Sequence, residues 1–237
     1  MQGQSAVVFG GSSGIGLATA QQLIELGINV TIVGRSPERL QTASQQLGER
    51  IVTVSLDCTD SAKVGQFFAD NTVIDHVVVS LAGGAALGPF SNIGEAEFRT
   101  TFDGKLWPYI NVMREAAPVL SSGGSLTLVT GASALAATPG AASLAAVNGA
   151  LEAMIKTLAV ELAPLRVNAV SPGLTDTAAW QRIPSDIREQ MYAKAAAETP
   201  AGRVGQAGDV AKAVIAVVSN PFLTGLVLPC DGGKRLT

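Results

Sequence analysis

The chain has 237 residues, of which 47% are hydrophobic and 15% are charged, and its formal net charge is −3. This length and composition suit a single α/β domain whose central parallel strands are buried on both faces. Lysines and arginines are scattered along the chain, which argues against nucleic acid or an anionic membrane as a partner and favours a small molecule.

Two cysteines, Cys58 and Cys230, occur without a CxxC or Cys/His cluster. We therefore expect reduced thiols rather than a disulfide, and no metal site. The first residues show no basic region followed by a long apolar stretch, and no later segment has the unbroken apolar span that a bilayer requires. These features predict a cytoplasmic protein.

Short apolar runs rich in β-branched residues alternate with longer stretches of helical spacing. The predicted strands are 6–9, 29–33, 51–55, 76–79, 125–129, 166–170 and 226–228. The predicted helices are 15–26, 37–47, 62–68, 95–120, 142–162 and 208–219. Their alternation predicts one α/β domain over 1–237, a Rossmann-type doubly wound sheet of about seven parallel strands with helices on both faces. The polar stretch 174–203 interrupts the alternation and is predicted to be a substrate lid or loop.

The first predicted strand leads into a glycine-rich turn that is followed by a helix. Gly10, Gly14 and Gly16 leave room for the backbone to approach a pyrophosphate. The helix N-terminus adds unpaired N–H groups and the positive end of the helix dipole. A plain tight turn is the alternative, but the position at the first strand–helix junction favours dinucleotide binding.

The end of the second strand distinguishes between the two nicotinamide dinucleotides. An acidic residue there would bind the ribose 2′-hydroxyl of NAD, whereas this chain has Gly34-Arg35-Ser36. No carboxylate opposes a 2′-phosphate, and the Arg35 guanidinium can hold it in bidentate fashion. The sequence therefore predicts NADP(H), the alternative being that Arg35 only solvates the surface.

Further landmarks follow in order along the chain: Asp57 after the third strand, Ala82-Gly83 after the fourth, Ser171-Pro172-Gly173 after the sixth, and Asp231-Gly232-Gly233. Together with the glycine spacing, they make the chain resemble the short-chain dehydrogenase/reductase family over nearly its whole length. The resemblance implies the strand order 3-2-1-4-5-6-7.

The resemblance also implies a set of cofactor contacts. These are Gly10, Ser12, Ser13, Gly14, Ile15, Gly16, Arg35, Ser36, Asp57, Cys58, Ala82, Gly83, Lys105, Pro172, Gly173, Leu174 and Thr177. Asp57 would meet the adenine amino group, and Thr177 with the Leu174 backbone would hold the carboxamide. The family's usual Asn-Asn-Ala-Gly is here Ser80-Leu81-Ala82-Gly83.

Members of this family typically use a tyrosine, a lysine four residues later, a serine and a helix asparagine to reduce carbonyls or oxidise alcohols. Aligned on Pro139-Gly140 and on Arg166-Val167-Asn168, the tyrosine, lysine and serine positions hold Leu144, Asn148 and Gly131. Counting back from Pro118 places Lys105 at the asparagine position. The usual asparagine and lysine thus look exchanged, and Thr130 and Ser133 flank the serine position. The resemblance points to Lys105, Asn148 and Ser133 as the catalytic candidates.

Lys105 carries the main catalytic hypothesis. Desolvation against the cofactor would lower its pKa and make the ammonium a proton donor to a carbonyl oxygen. The alternatives are that Lys105 only binds ribose hydroxyls, or that it points to solvent from a helix broken by Pro108.

The remaining candidates are expected to be structural. His76 begins the fourth strand, at the edge of the sheet opposite to the expected active site. Tyr109 is expected to pack or to join a helix interface, and Tyr192 would need a lid movement. Trp107 and Trp180 are expected to pack, the alternative being that Trp180 faces a ligand from the lid.

Two classes of function fit these features. The first is an NADP(H)-dependent oxidoreductase that moves a hydride to or from a small, mainly apolar carbonyl or alcohol with an atypical proton relay. The second is a catalytically silent NADP(H)-binding regulator or partner subunit, while lyase or isomerase chemistry has no distinctive residue to support it. The resemblance also implies a homodimer or homotetramer, assembled through the two long helices and the C-terminal segment.

Overall fold

The computed structural model describes residues 1–48, 51–71, 73–84 and 86–237. One sheet contains seven parallel strands, β1 Ser5–Phe9, β2 Asn29–Gly34, β3 Val52–Ser55, β4 Ile74–Val79, β5 Leu120–Val129, β6 Arg166–Pro172 and β9 Val227–Cys230. Their order is β3-β2-β1-β4-β5-β6-β9, which confirms the predicted topology. The seventh strand is β9 because a separate parallel pair, β7 Thr175–Asp176 and β8 Gly205–Gln206, precedes it in the chain.

Helices cover both faces of this sheet. They are α1 Gly14–Glu25, α2 Pro37–Leu47, α3 Ser61–Ala69, α4 Glu95–Thr101, α5 Trp107–Ala116, α6 Ala142–Glu161, α7 Ser185–Ala197 and α8 Ala207–Ser219. Apolar side chains of α3, α5 and α6 form the core on one face, and those of α1, α2 and α8 form the core on the other. The doubly wound Rossmann-type arrangement is therefore confirmed.

The central strands are apolar without alternation because both of their faces are buried. In β1, Val7 and Phe9 pack into the core on one face, whereas Ala6 and Val8 pack into the core on the other. Successive strand residues point to opposite faces, so every position of such a strand needs an apolar side chain. This explains why these strands are readily found in the sequence.

The predicted helix 95–120 is wrong as a single element. A wide π-type turn at Phe102–Leu106 separates α4 from α5, and α5 ends at Ala116. Pro108 lacks a backbone N–H, and its ring excludes an ordinary helical turn against the carbonyl of Gly104. Pro118 then ends the helical stretch, and β5 begins at Leu120, earlier than predicted.

The stretch 174–203 is more ordered than the predicted loop. It contains β7, a short 3₁₀ turn at Ala178–Arg182 and the helix α7. Pro184 precedes the first helical residue, where a proline is compatible with helix initiation, and the alanine-rich end of α7 favours helix. The prolines and polar residues of this stretch therefore mark the ends of its elements.

Helix α6 differs from the expectation that no segment could span a bilayer. The helix has 20 residues, and its most apolar window of 18 residues has a mean hydropathy of 1.2, which suffices for a membrane span by length and composition. One face of α6 is buried in the core, where Val147, Leu151 and Ile155 are fully inaccessible to solvent. These features are shared by the core helices of globular domains.

His76 lies near the amino end of β4, with Nδ1 2.9 Å from the Ser125 hydroxyl and Nε2 3.3 Å from the Gln4 side-chain oxygen. Burial lowers the pKa of His76 to about 4.

Cys58 and Cys230 are free thiols, buried and half-buried respectively. Trp107, expected to pack, is instead 52% exposed because it lies on an outward face of α5.

Candidate cofactor cleft and active site

A cleft of about 560 Å³ opens at the carboxyl ends of the sheet strands. Thirteen of the predicted cofactor contacts line it: Gly10, Ser12, Ser13, Gly14, Ile15, Arg35, Ser36, Asp57, Cys58, Ala82, Lys105, Pro172 and Thr177. This edge of a doubly wound sheet is where such folds bind ligands. The structure thus gathers residues far apart in the sequence around one cavity.

The other four predicted contacts do not line the cleft but shape its walls. A Cβ at Gly16 would collide with the Gly10 carbonyl oxygen, and one at Gly83 would lie 2.6 Å from the Gly104 carbonyl oxygen. A Cβ at Gly173 would lie 2.9 Å from Cα of Asp231, and the Leu174 carbonyl accepts a hydrogen bond from Gly205. These residues allow segments of backbone to pack closely, which sequence spacing alone does not distinguish from ligand contact.

The glycine-rich turn has the geometry of an anion cradle. Gly10 and Gly14 have φ angles of 80° and 53°, in the left-handed region that favours glycine. Ser13 precedes α1 without a side-chain hydrogen bond to the first turn, so the N–H groups there are not satisfied by a capping side chain. The turn and the helix N-terminus therefore present backbone donors to the cleft.

Two guanidinium groups lie at the end of the cleft beyond β2. Arg35 and Arg39 both line it, and neither forms an ion pair with any residue that the structure describes. The Ser36 hydroxyl caps α2 by accepting a hydrogen bond of 3.2 Å from the Arg39 N–H. Arg39 was missed in the sequence because nothing distinguishes it there from a surface arginine in the first turn of α2.

The neighbouring wall of the cleft is formed by Asp57, Cys58 and Thr59. One carboxylate oxygen of Asp57 accepts hydrogen bonds from the Thr59 N–H and hydroxyl, at 3.0 and 2.9 Å. Burial raises the pKa of the Cys58 thiol to about 12, so this residue contributes a neutral surface rather than a nucleophile.

The three catalytic candidates are joined by hydrogen bonds. Lys105 Nζ donates to Asn148 Oδ1 at 2.8 Å, and Asn148 Nδ2 donates to Ser133 Oγ at 2.9 Å. The Lys105 ammonium also donates to the Thr130 carbonyl at 3.1 Å. Sequence separations of 43 and 15 residues are thus bridged by one continuous chain of polar contacts.

Lys105 is held inside the protein rather than in solvent. Its exposure is 9%, which rules against the solvent-pointing alternative, and Nζ lies 5.7 Å from the centre of the Tyr109 ring. Burial lowers the pKa of Lys105 to about 8, and the nearby Glu152 carboxylate opposes this shift. The π-type turn places this side chain, because Lys105 lies within it.

A side chain at the serine position of the family would displace Asn148 in this structure. A Cβ at Gly131 would lie 2.7 Å from Nδ2 of Asn148, closer than real side chains approach. Ser133, on a 3₁₀ turn at Ala132–Ala134, supplies a hydroxyl to the same amide instead. The glycine at 131 and the asparagine at 148 are therefore sterically coupled.

Neither tyrosine is arranged as a proton donor to a ligand. The buried Tyr109 hydroxyl is directed at the carbonyls of Val129 and Leu81, at 2.6 and 3.2 Å, and burial raises the pKa of Tyr109. The Tyr192 hydroxyl donates to Asp176 at 3.0 Å. Trp180 Nε1 donates to the Thr175 carbonyl, which ties the start of the 174–203 stretch together.

Comparison with known proteins identifies the family. The family model described as enoyl-(acyl carrier protein) reductase matches residues 10–235. A 3-oxoacyl-(acyl-carrier-protein) reductase of Chlamydia trachomatis is 30% identical over 244 residues, covering 97% of this chain and 96% of the relative. Carbonyl reductase family member 4 of Danio rerio is 28% identical over 239 residues, with 98% of each chain covered.

Solved structures agree with the sequence relatives. A crystal structure of a small-chain dehydrogenase in complex with NADPH is 35% identical, covers 99% of both chains and superimposes with a TM-score of 0.86. A short-chain type dehydrogenase/reductase from Mycobacterium ulcerans is 28% identical, with a TM-score of 0.91 over 100% of this chain and 91% of the other. Because family model, relatives and structures span nearly the whole chain, it belongs to the short-chain dehydrogenase/reductase family of nicotinamide-dependent oxidoreductases.

Proposed function

We propose that this protein binds NADP(H) and transfers a hydride between the cofactor and a small carbonyl or alcohol. The observation that carries the proposal is the hydrogen-bonded chain Lys105–Asn148–Ser133, whose lysine lines the cleft. These three hydrogen-bonded side chains would take over the role of the tyrosine and lysine that the family typically has at the positions of Leu144 and Asn148.

Three features support NADP(H) as the cofactor. Gly10 and Gly14 line the cleft with positive φ angles that favour glycine, so the backbone there can approach a pyrophosphate without an intervening side chain. The guanidiniums of Arg35 and Arg39, which line the same end of the cleft, suit a 2′-phosphate. The small-chain dehydrogenase at 35% identity is described in complex with NADPH.

When bound, NADPH supplies the hydride. Of the three N–H bonds of the Lys105 ammonium, two are used by Asn148 and Thr130, which leaves one for an oxygen in the cleft. A fixed positive charge in a buried site stabilises the negative charge that develops on a carbonyl oxygen during reduction. Lys105 would therefore act as oxyanion donor and as the proton source.

Asn148 and Ser133 have different roles from Lys105. A carboxamide does not carry protons at neutral pH, so Asn148 orients Lys105 and polarises Ser133 without transferring a proton between them. Because the Ser133 oxygen accepts from Asn148, its own hydrogen is available to a further acceptor. Both residues thus fix the geometry around the reacting oxygen.

The reaction is expected to be slow in comparison with family members that have the tyrosine. Positioned acid–base catalysis contributes about 10² to 10⁴ in rate, whereas bringing the reactants together is a separate contribution. The test is NADPH oxidation by purified protein against a panel of small apolar aldehydes and ketones, with NADPH binding followed by fluorescence.

Leu144, a half-buried side chain in the tyrosine position, favours a second candidate, a cofactor-binding regulator or partner subunit without turnover. NADPH binding without turnover across the whole carbonyl panel would support this candidate against the enzyme. Absence of binding to both NADPH and NADH would contradict both.

Self-association is a further part of the proposal. Val160, Phe222 and Leu236 are large apolar side chains that are 79%, 95% and 74% exposed on the single chain. Val160 on α6 and Leu236 near the end of the chain lie in the segments through which family resemblance implies assembly. A dimer or tetramer is expected, and light scattering coupled to size-exclusion chromatography measures it directly.

A further inference from the structure

Glu152 lies on α6 one helical turn after Asn148, and family resemblance assigned it no role. Its Oε1 accepts hydrogen bonds from the Thr130 hydroxyl at 2.7 Å and from the Ser171 hydroxyl at 2.8 Å. Thr130 follows β5, and Ser171 lies near the end of β6. The carboxylate therefore bridges the carboxyl ends of two central strands, beneath the cleft.

Thr130 connects this carboxylate to the catalytic candidate. Its carbonyl accepts from Lys105 Nζ at 3.1 Å, while its hydroxyl donates to Glu152. A carboxylate that holds Thr130 thus also fixes one of the two acceptors of the ammonium. Thr130 thus links the two charged groups, through its backbone carbonyl to Lys105 and through its side-chain hydroxyl to Glu152.

The charges of Glu152 and Lys105 also complement each other. Among the residues that the structure describes, neither takes part in a direct ion pair. Among the same residues, Lys105 contacts Asn148 from α6, Thr130 after β5 and the Tyr109 ring from α5, and the Glu152 carboxylate lies one hydrogen bond beyond Thr130. Glu152 is the one negative charge in this set.

We propose that Glu152 is a positioning residue for the reaction, which fixes Thr130 against Lys105 and supplies the negative charge that keeps the buried amine protonated. This inference rests on the proposed role of Lys105 in hydride transfer. Burial of a cation away from water costs free energy, and a nearby carboxylate offsets that cost. A purely structural brace between β5 and β6 would affect stability without changing the protonation of Lys105.

The test is Glu152→Gln, which keeps the size and an acceptor oxygen but removes the charge. Glu161→Gln removes the same charge from the exposed end of α6 and serves as the matched control. In wild-type protein, reduction is expected to decline as pH rises through about 8. In Glu152→Gln, the midpoint of this decline should move to lower pH by at least about 0.5 unit. In Glu152→Asp the midpoint should return most of the way to the wild-type value, and in Glu161→Gln it should equal the wild-type value.

A second readout does not depend on turnover. Protein labelled with ¹³C-lysine gives the titration of the Lys105 side chain by NMR, with the resonance assigned through Lys105→Arg. The same downward shift in Glu152→Gln is expected. An unchanged Lys105 titration in a folded Glu152→Gln protein would overturn the positioning role and leave the proposed function standing. Absence of NADPH-dependent carbonyl reduction by the wild-type protein would instead overturn the proposed function on which this role rests.

Discussion

The hydrogen-bonded chain from Lys105 to Ser133 depends on the absence of a side chain at Gly131. Gly131 leaves the space that Nδ2 of Asn148 occupies, and this placement lets Asn148 reach Lys105 and Ser133 at once. Three of the four positions that differ from the family pattern, Gly131, Asn148 and Lys105, thus form one connected set. Single substitutions toward the family residues should disturb it rather than restore activity.

Gly131→Ser tests this coupling. The new Cβ would push Asn148 away, break its hydrogen bond to Lys105 and reduce turnover by about 10-fold or more, with about 1–3 kcal/mol of destabilisation from overpacking. The measurement is kcat together with the free energy of unfolding. In the Asn148→Ala background the same substitution should cost much less stability, and equal costs in both backgrounds would refute the coupling.

Arg35→Ala tests the phosphate end of the cleft. Charge-assisted hydrogen bonds to phosphate contribute about 1.5–3 kcal/mol, so the Kd for NADPH should rise about 10- to 100-fold. The Kd for NADH should change little, because NADH lacks the 2′-phosphate. Arg114→Ala, which removes an exposed arginine paired with Glu115, is the control. Equal losses for both cofactors would show that Arg35 has no role in selecting the phosphate.

At the scale of elements, the π-type turn places Lys105 and the sequence did not reveal it. The spacing of apolar residues fits one helix over 95–120, because a single widened turn changes the register only locally.

Strands buried on both faces and helices with one apolar face were predictable from the sequence because their hydrophobic patterns repeat. Arg39, Glu152 and the order within 174–203 depend on contacts that have no such repeat.

Pro108→Ala tests the origin of this turn. Restoring the backbone N–H permits a regular helical bond to the Gly104 carbonyl, so α4 and α5 should approach one continuous helix. Lys105 would then rotate away from Asn148, and kcat should decrease while the melting temperature stays the same or increases. Unchanged activity, with the π-type turn retained in a crystal structure of the variant, would show that the proline does not cause it.

At the scale of the whole molecule, the two edges of the sheet serve different purposes. The carboxyl ends of the strands gather the cleft, whereas the amino end of β4 contains His76 in a network with Ser125 and Gln4. Resemblance to a family predicted the topology and most of the cleft lining. It did not distinguish the glycines that line the cleft, such as Gly10 and Gly14, from those that let backbone segments pack, such as Gly16, because both kinds belong to the same motif.

The burial of His76 predicts a pH-dependent stability. The unfolded chain binds a proton at this residue below about pH 6.5, whereas the folded protein does so only near pH 4. Protons therefore favour the unfolded state, and between pH 7 and pH 5 the protein should lose about 2 kcal/mol of stability. Urea unfolding at both pH values measures this loss. It should largely disappear in His76→Gln, since the chain has a single histidine.

The central claim is that Lys105 supports hydride transfer in the absence of a catalytic tyrosine. It is tested most directly by kcat for NADPH oxidation with the best carbonyl of the panel, measured for wild-type protein and for Lys105→Met between pH 6 and pH 10. We expect a wild-type kcat that falls as the pH rises through about 8, and a variant whose kcat is lower by about 10² and lacks this dependence. Equal rates and equal pH profiles in the two proteins would contradict it.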